Sequence, residues 1–123
     1  MKRYILIVDD EMLYRELLTV CLDVYNFEVK EVESGKEALN FIKTFLPDLI
    51  VSDIMMPDMD GFELCKIIKS NPKTKHIKVI LFTAMLTAEY EEKAYEAGAD
   101  SFLNKPFPGS ELVYRINELL ISR

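Results

Sequence analysis

Two adjacent carboxylates, Asp9 and Asp10, a third at Asp53, a hydroxyl at Thr83 and an ammonium at Lys105 each fall at the end of a short apolar run in this 123-residue chain. If those runs are neighbouring strands, the five groups meet at one sheet edge. Clustered carboxylates need a cation to offset their repulsion. The hard ions Mg2+ and Mn2+ accept such oxygen ligands, with waters and phosphate oxygens completing the shell. A nucleotide phosphate is not expected there, because Asp9-Asp10-Glu11 contains no glycine-rich turn to receive an anion. A carboxylate nucleophile with a metal ion, an ammonium and a hydroxyl donor around it meets the needs of in-line phosphoryl transfer, where charge spread over the equatorial oxygens must be neutralised. Asp53 is the candidate nucleophile, since a carboxylate ending an apolar strand must be solvated or paired. Taken singly, Asp9 or Asp10 is an ordinary helix cap, Thr83 a strand threonine and Lys105 a solvated lysine. Their joint placement is what points to chemistry.

The elements that position these groups are legible as periodic runs. Ile5-Leu6-Ile7-Val8, Leu49-Ile50-Val51 and Val79-Ile80-Leu81-Phe82 are nearly unbroken and rich in β-branched residues, as strands covered on both faces are. The segment Glu28 to Val32 alternates and Ser101-Phe102-Leu103 is short, which suits sheet edges. Between them, Leu13, Leu17, Val20 and Val24 at i, i+4, i+7 and i+11 predict a first helix that packs this stripe on the sheet. A second helix opens at Ser34 with Glu37 completing a capping box, buries Ala38, Ile42 and Phe45, and stops at Pro47. A third runs from Gly61 to before Asn71-Pro72, and a fourth from Thr87 to about Ala97, with Gly98 as its C-terminal cap. The fifth presents Leu112, Ile116, Leu119 and Leu120 and ends near Arg123. Strict alternation with short connections predicts an α/β fold, a parallel sheet with helices on both faces. Ligands of such sheets bind outside the carboxyl ends of the strands.

The length fits one domain over residues 1–123, with no repeats, linkers or low-complexity segments. Fifteen basic against 21 acidic residues give a net charge of −6, which argues against direct nucleic-acid binding. The apolar runs are far shorter than the ~20 residues of a membrane helix, so a cytoplasmic location is expected. Cys21 and Cys65 lack metal or redox spacing and read as plain thiols, and His76 as a solvated loop residue.

Four segments carry a family resemblance. Ile7-Val8-Asp9-Asp10-Glu11, then Asp53-Ile54-Met55-Met56-Pro57-Asp58-Met59-Asp60-Gly61, then Thr83-Ala84, then Lys105-Pro106-Phe107 resemble the receiver domain of bacterial two-component response regulators, over essentially the whole chain. The resemblance implies a doubly wound, flavodoxin-like sheet of five parallel strands in the order 2-1-3-4-5. It implies that Asp53 is the phosphoacceptor and Asp10 a direct Mg2+ ligand, with Asp9 acting through a metal-bound water and the Met55 carbonyl as the third protein ligand. Thr83 and Lys105 would bind phosphoryl oxygens. The Lys105-Pro106 peptide would be cis, and Gly61 would give the turn after Asp60 its backbone freedom. Such a chain is not a classical enzyme, but promotes its own Mg2+-dependent phosphorylation and dephosphorylation. Its partners would be a sensor histidine kinase or histidine phosphotransfer protein and a downstream effector protein or domain, with dimerisation on phosphorylation as a further outcome. No effector domain is expected in this chain.

The resemblance also implies a switch. Phosphorylation adds charge and acceptor oxygens, drawing Thr83 and the loop from Ala84 to Thr87 toward Asp53. Phe102, three residues before Lys105, holds the place of an aromatic side chain that follows inward, here without a hydroxyl. The changing surface would be the fourth helix, fifth strand and fifth helix, from Thr87 to Leu120. Met55 and Met85, each two residues after a site residue, flank the route of an attacking water that a thioether orients poorly. Slow loss of the phosphoryl group is therefore expected. A flavodoxin-like electron carrier would need a hydroxyl- and glycine-rich loop after the first strand. A haloacid-dehalogenase-type phosphatase would need a second aspartate where Met55 stands. The alternative of a different kind is a degenerate receiver, a binding module independent of phosphorylation.

Overall fold

The apolar runs become strands and the periodic segments between them helices, in a computed structural model that describes residues 2–85 and 87–121. The chain runs β1 (Tyr4–Val8), α1 (Met12–Val24), β2 (Glu28–Val32), α2 (Gly35–Thr44), β3 (Leu49–Asp53), α3 (Gly61–Ser70), β4 (Lys78–Thr83), α4 (Ala88–Glu96), β5 (Ser101–Asn104) and α5 (Gly109–Ile121). All neighbouring strands pair in parallel, in the order β2-β1-β3-β4-β5. This is the expected doubly wound sheet, with the alternating segment and the short one at its edges.

Because successive side chains of a strand point to opposite faces, the sheet divides the core in two. Leu6, Val8, Ile50, Val79 and Leu81 pack with Ala38, Ile42, Leu64, Cys65 and Ile68 of α2 and α3. Ile5, Ile7, Leu49, Val51, Ile80 and Phe82 pack with Leu18 and Leu22 of α1 and Leu112, Val113 and Ile116 of α5.

The rotation of α1 differs from the expected one. Leu13, Leu17, Val20 and Val24 face solvent, Leu13 at 77% and Val24 at 76% exposure. The stripe one residue later meets the sheet: Leu18 and Leu22 are buried, with Tyr14 and Cys21 packed beside them. Polar contacts to β2 and to the residue after β1 hold this rotation. Arg15 donates from Nε to Glu31 Oε1 at 3.3 Å and from Nη1 to the Asp9 carbonyl at 2.8 Å, while the Thr19 hydroxyl donates to Glu31 Oε2 at 2.6 Å.

Helix ends follow their local chemistry. Ser34 Oγ accepts from the Glu37 N–H at 3.1 Å, whereas Glu37 Oε1 accepts from the N–H of Glu33, one residue earlier than a capping box requires. Phe45 lies past the end of α2, 38% exposed and edge-on to Tyr4 at 4.9 Å, so it does not join Ala38 and Ile42 in the core. Asp60 and Thr87 cap α3 and α4 by accepting from Glu63 N–H and Tyr90 N–H. Gly98 takes φ +100° after α4, where glycine carries no Cβ penalty. In α5, Leu112 and Ile116 are buried and Leu119 and Leu120 pack against them. The expected helix end near Arg123 and Leu86 of the 84–87 loop lie outside the described residues. Among the described residues, no helix is long and apolar enough to cross a membrane.

Candidate functional site at the carboxyl edge of the sheet

Asp9 follows β1 directly and Asp53 ends β3, and the pairing of Val8 with Ser52 sets them side by side. Both are buried. Asp9, Asp10 and Asp53 each offer a carboxylate oxygen within 4.8 Å of the others. Asp9 Oδ1 accepts from the Glu11 N–H at 2.9 Å, while the buried Oδ2 has no hydrogen-bond partner among the described residues. The helix cap itself is Glu11, whose side chain caps nothing. Burial, opposed by the Glu11 N–H and reinforced by the Asp53 charge, raises the Asp9 carboxyl from 3.8 to about 7. Burial likewise raises Asp53, against the Met55 N–H and the Lys105 ammonium. Clustered carboxylate oxygens, one of them orphaned, fit a hard divalent cation.

Lys105 follows β5, and its peptide bond to Pro106 is cis. Its Nζ lies 2.7 Å from Glu11 Oε1 and 3.9 Å from both Asp9 Oδ2 and Asp53 Oδ2. Burial works against the ammonium, but the hydrogen bond to Glu11 and the charges of Asp9 and Asp53 outweigh it and raise its pKa. Thr83 ends β4, fully buried, one residue past the Phe82 that pairs with Asp53. Its Oγ1 accepts from the Met85 N–H at 3.1 Å. The Met55 N–H donates to Asp53 Oδ1 at 3.1 Å, and the side chains of Met55 and Met85 stand exposed at this edge. Phe102 is buried in the α2–α3 side of the core and so already stands inward.

Gly61 is needed for closeness rather than for backbone angle. Its φ is not in the left-handed region, but a Cβ would stand 2.5 Å from the Asp53 carbonyl oxygen and 2.8 Å from the Ile54 Cα. The left-handed residue of this loop is Asp58, at φ 70°.

Three residues here were given no role by the sequence reading: Glu11, the nearest partner of Lys105; Arg15, which pins the Asp9 carbonyl; and Tyr14, whose ring centroid is 4.0 Å from Lys105 Nζ. Burial, then the charges of Asp9, Asp53 and Glu11, push the Tyr14 hydroxyl up to about 12. The available signal for Tyr14 and Arg15 was spacing, four residues after Asp10 and Glu11.

Comparison with known proteins gives a matching picture. The model of the response regulator receiver domain family matches residues 5–117. The chain is 40% identical over 122 residues to histidine kinase P4 of Formosa agariphila, covering 99% of this chain and 9% of that protein. It is 39% identical over 119 residues to response regulator PleD of Caulobacter vibrioides, covering 97% of this chain and 26% of that one. The chain thus spans a minor part of these relatives' length. Among solved structures, the signal receiver domain of a signal transduction histidine kinase from Syntrophus aciditrophicus superposes with a TM-score of 0.91 at 36% identity, over 98% of this chain and 93% of that one.

Proposed function

This chain belongs to the response regulator receiver domain family, and we propose that it is a phosphorylation switch in which Asp53 accepts a phosphoryl group from a phosphohistidine on a sensor kinase or phosphotransfer protein. The supporting observation is the meeting of Asp9, Asp10 and Asp53 with the Lys105 ammonium at one sheet edge. In the transfer, the N–P bond of the phosphohistidine breaks as the Asp53 Oδ–P bond forms, and the histidine nitrogen keeps the electron pair and takes up a proton. Asp53, held by the Met55 N–H through Oδ1, attacks as carboxylate. Lys105 and Thr83 receive phosphoryl oxygens, so that charge developing in transfer meets fixed donors.

Asp9, Asp10, Asp53 and the Met55 carbonyl would hold Mg2+, or Mn2+ in its place. Bound there, such an ion would offset the charge of the acidic cluster and of the incoming phosphoryl group. Thr83, moving toward the new acceptor oxygens, carries the loop after β4, and the surface of α4, β5 and α5 changes for a downstream effector or a second copy. The unit at work is the receiver domain itself, acting in the cytoplasm without direct contact to nucleic acid or membrane.

Intact mass after incubation with acetyl phosphate and Mg2+ tests this. One phosphoryl adduct on the wild type, lost in Asp53→Asn and in chelator, is the expected result. No adduct would replace the switch by a binding module independent of phosphorylation.

A further inference from the structure

Lys105 is held in an unequal way. Among the described residues its ammonium makes one hydrogen bond, to Glu11, whose side chain is 65% exposed. Both Asp9 and Asp53 stand beyond hydrogen-bond range at 3.9 Å. The fixed support lies on the other side, where the ammonium sits over the Tyr14 ring, 4.0 Å from its centroid and 5.7 Å from that of Phe82. That ring is braced. Tyr14 lies 5.6 Å from Phe82 and 6.2 Å from Phe107, edge-on to the latter at 87°, and Phe82 and Phe107 are themselves edge-on at 5.8 Å. Three elements therefore contribute one aromatic seat: α1, β4 and the segment after β5.

We infer that Tyr14 is a positioning residue for the phosphoryl transfer: its braced ring face holds the Lys105 ammonium beside Asp53, while Glu11 is an exchangeable counter-ion that gives way to the phosphoryl oxygens. An ammonium over an aromatic face is attracted by the ring quadrupole, most strongly where water is partly excluded, and Lys105 is only 17% exposed. The ring charges no rival acceptor and forms no directional bond, so it steadies the ammonium without competing for its donors. This inference rests on Asp53 being the phosphoacceptor.

The test compares Tyr14→Phe, Tyr14→Leu and Tyr14→Met, each first shown to be folded by circular dichroism, in the rate of adduct formation from acetyl phosphate with Mg2+. Tyr14→Phe keeps the face and should label within about twofold of wild type. Tyr14→Leu and Tyr14→Met should each slow labelling about tenfold, and neither should slow it further in a Lys105→Met background, because the effect runs through the ammonium. The ring-current shift of the Lys105 ε-methylene protons should persist in Tyr14→Phe and vanish in the aliphatic variants. Wild-type rates in folded aliphatic variants, an equal slowing in the Lys105→Met background, or a Tyr14→Phe as slow as Tyr14→Leu would each overturn the inference. A wild type that takes no adduct at all would instead remove the phosphoacceptor reading, and this inference with it.

Discussion

The Tyr90 hydroxyl on α4 donates to the Met55 Sδ in the loop after β3, at 3.7 Å. The same Met55 donates its backbone N–H to Asp53, so one residue touches both the candidate phosphoacceptor and a helix of the proposed output surface. Tyr90 is in turn edge-on to Phe62 of α3 at 5.5 Å. The Met55 side chain thereby has a partner on α4 and offers no oxygen or nitrogen to a water near Asp53. Replacing Met55 by Asn and Met85 by Glu supplies such groups and should shorten the half-life of the phosphorylated protein by about tenfold or more, toward the range of positioned acid–base groups. Decay of the purified phosphoprotein followed by mass reads this, and an unchanged half-life would refute it.

Asp9 predicts a pH dependence with a definite sign. Its folded pKa, about 7, lies above the ordinary 3.8, so between those values the folded chain binds more protons than the unfolded one. The contribution of Asp9 to stability without divalent metal should therefore be most favourable below about pH 4, fall as pH rises toward 7, and level off above, read as the difference between wild type and Asp9→Asn. Mg2+ competes with that proton, and its affinity should rise over the same window. Melting temperature with and without Mg2+ across this range checks both statements. Asp9→Asn should raise the metal-free melting temperature at pH 8 and remove most of the Mg2+ response.

The rotation of α1 separates two classes of apolar side chain. Leu18→Ala or Leu22→Ala removes a buried side chain and should cost about 2–5 kcal/mol. Leu17→Ser or Val20→Ser, on the exposed stripe, should change stability by about 0.5 kcal/mol or less. Urea denaturation decides, and a large loss in the second pair would mean that the helix packs on its other side.

Gly61→Ala forces a methyl group against the main chain of Asp53 and Ile54. Backbone cannot rotate away as a side chain does, so a loss of about 1–3 kcal/mol is expected, together with slower labelling because the Asp53 carbonyl must shift. Gly61→Ala with wild-type stability and labelling rate would show the loop to be slack.

These cases mark where sequence reasoning stops. Strand runs, their order and the carboxyl-edge convergence were readable because unbroken β-branched runs alternating with helical periods admit few topologies. The face of α1 was not, because its apolar residues form two stripes one residue apart, both of helical period. What selects between them is a long-range clamp, Arg15 and Thr19 on Glu31, that no local pattern contains. Gly61 was visible, but the clash that requires it, with the main chain of Asp53 and Ile54, depends on how the loop after β3 folds back and not on any local pattern. Glu11 and Tyr14 stood beside a recognised acidic pair, yet their role depends on where Lys105 arrives from far along the chain.

The division of the core by the sheet has a consequence for how such a chain can vary. Substitutions among Leu18, Leu22, Leu112 and Ile116 on one side, and among Ile42, Leu64 and Ile68 on the other, have no side-chain neighbours in common, and energetic effects at sites without shared partners add. Each side is thus a separate field for mutation. Packing residues of α1 and α5 can change and compensate one another while the packing of α2 and α3 is left intact, so descendants of one chain can diverge on one side of the sheet without rebuilding the side chains on the other.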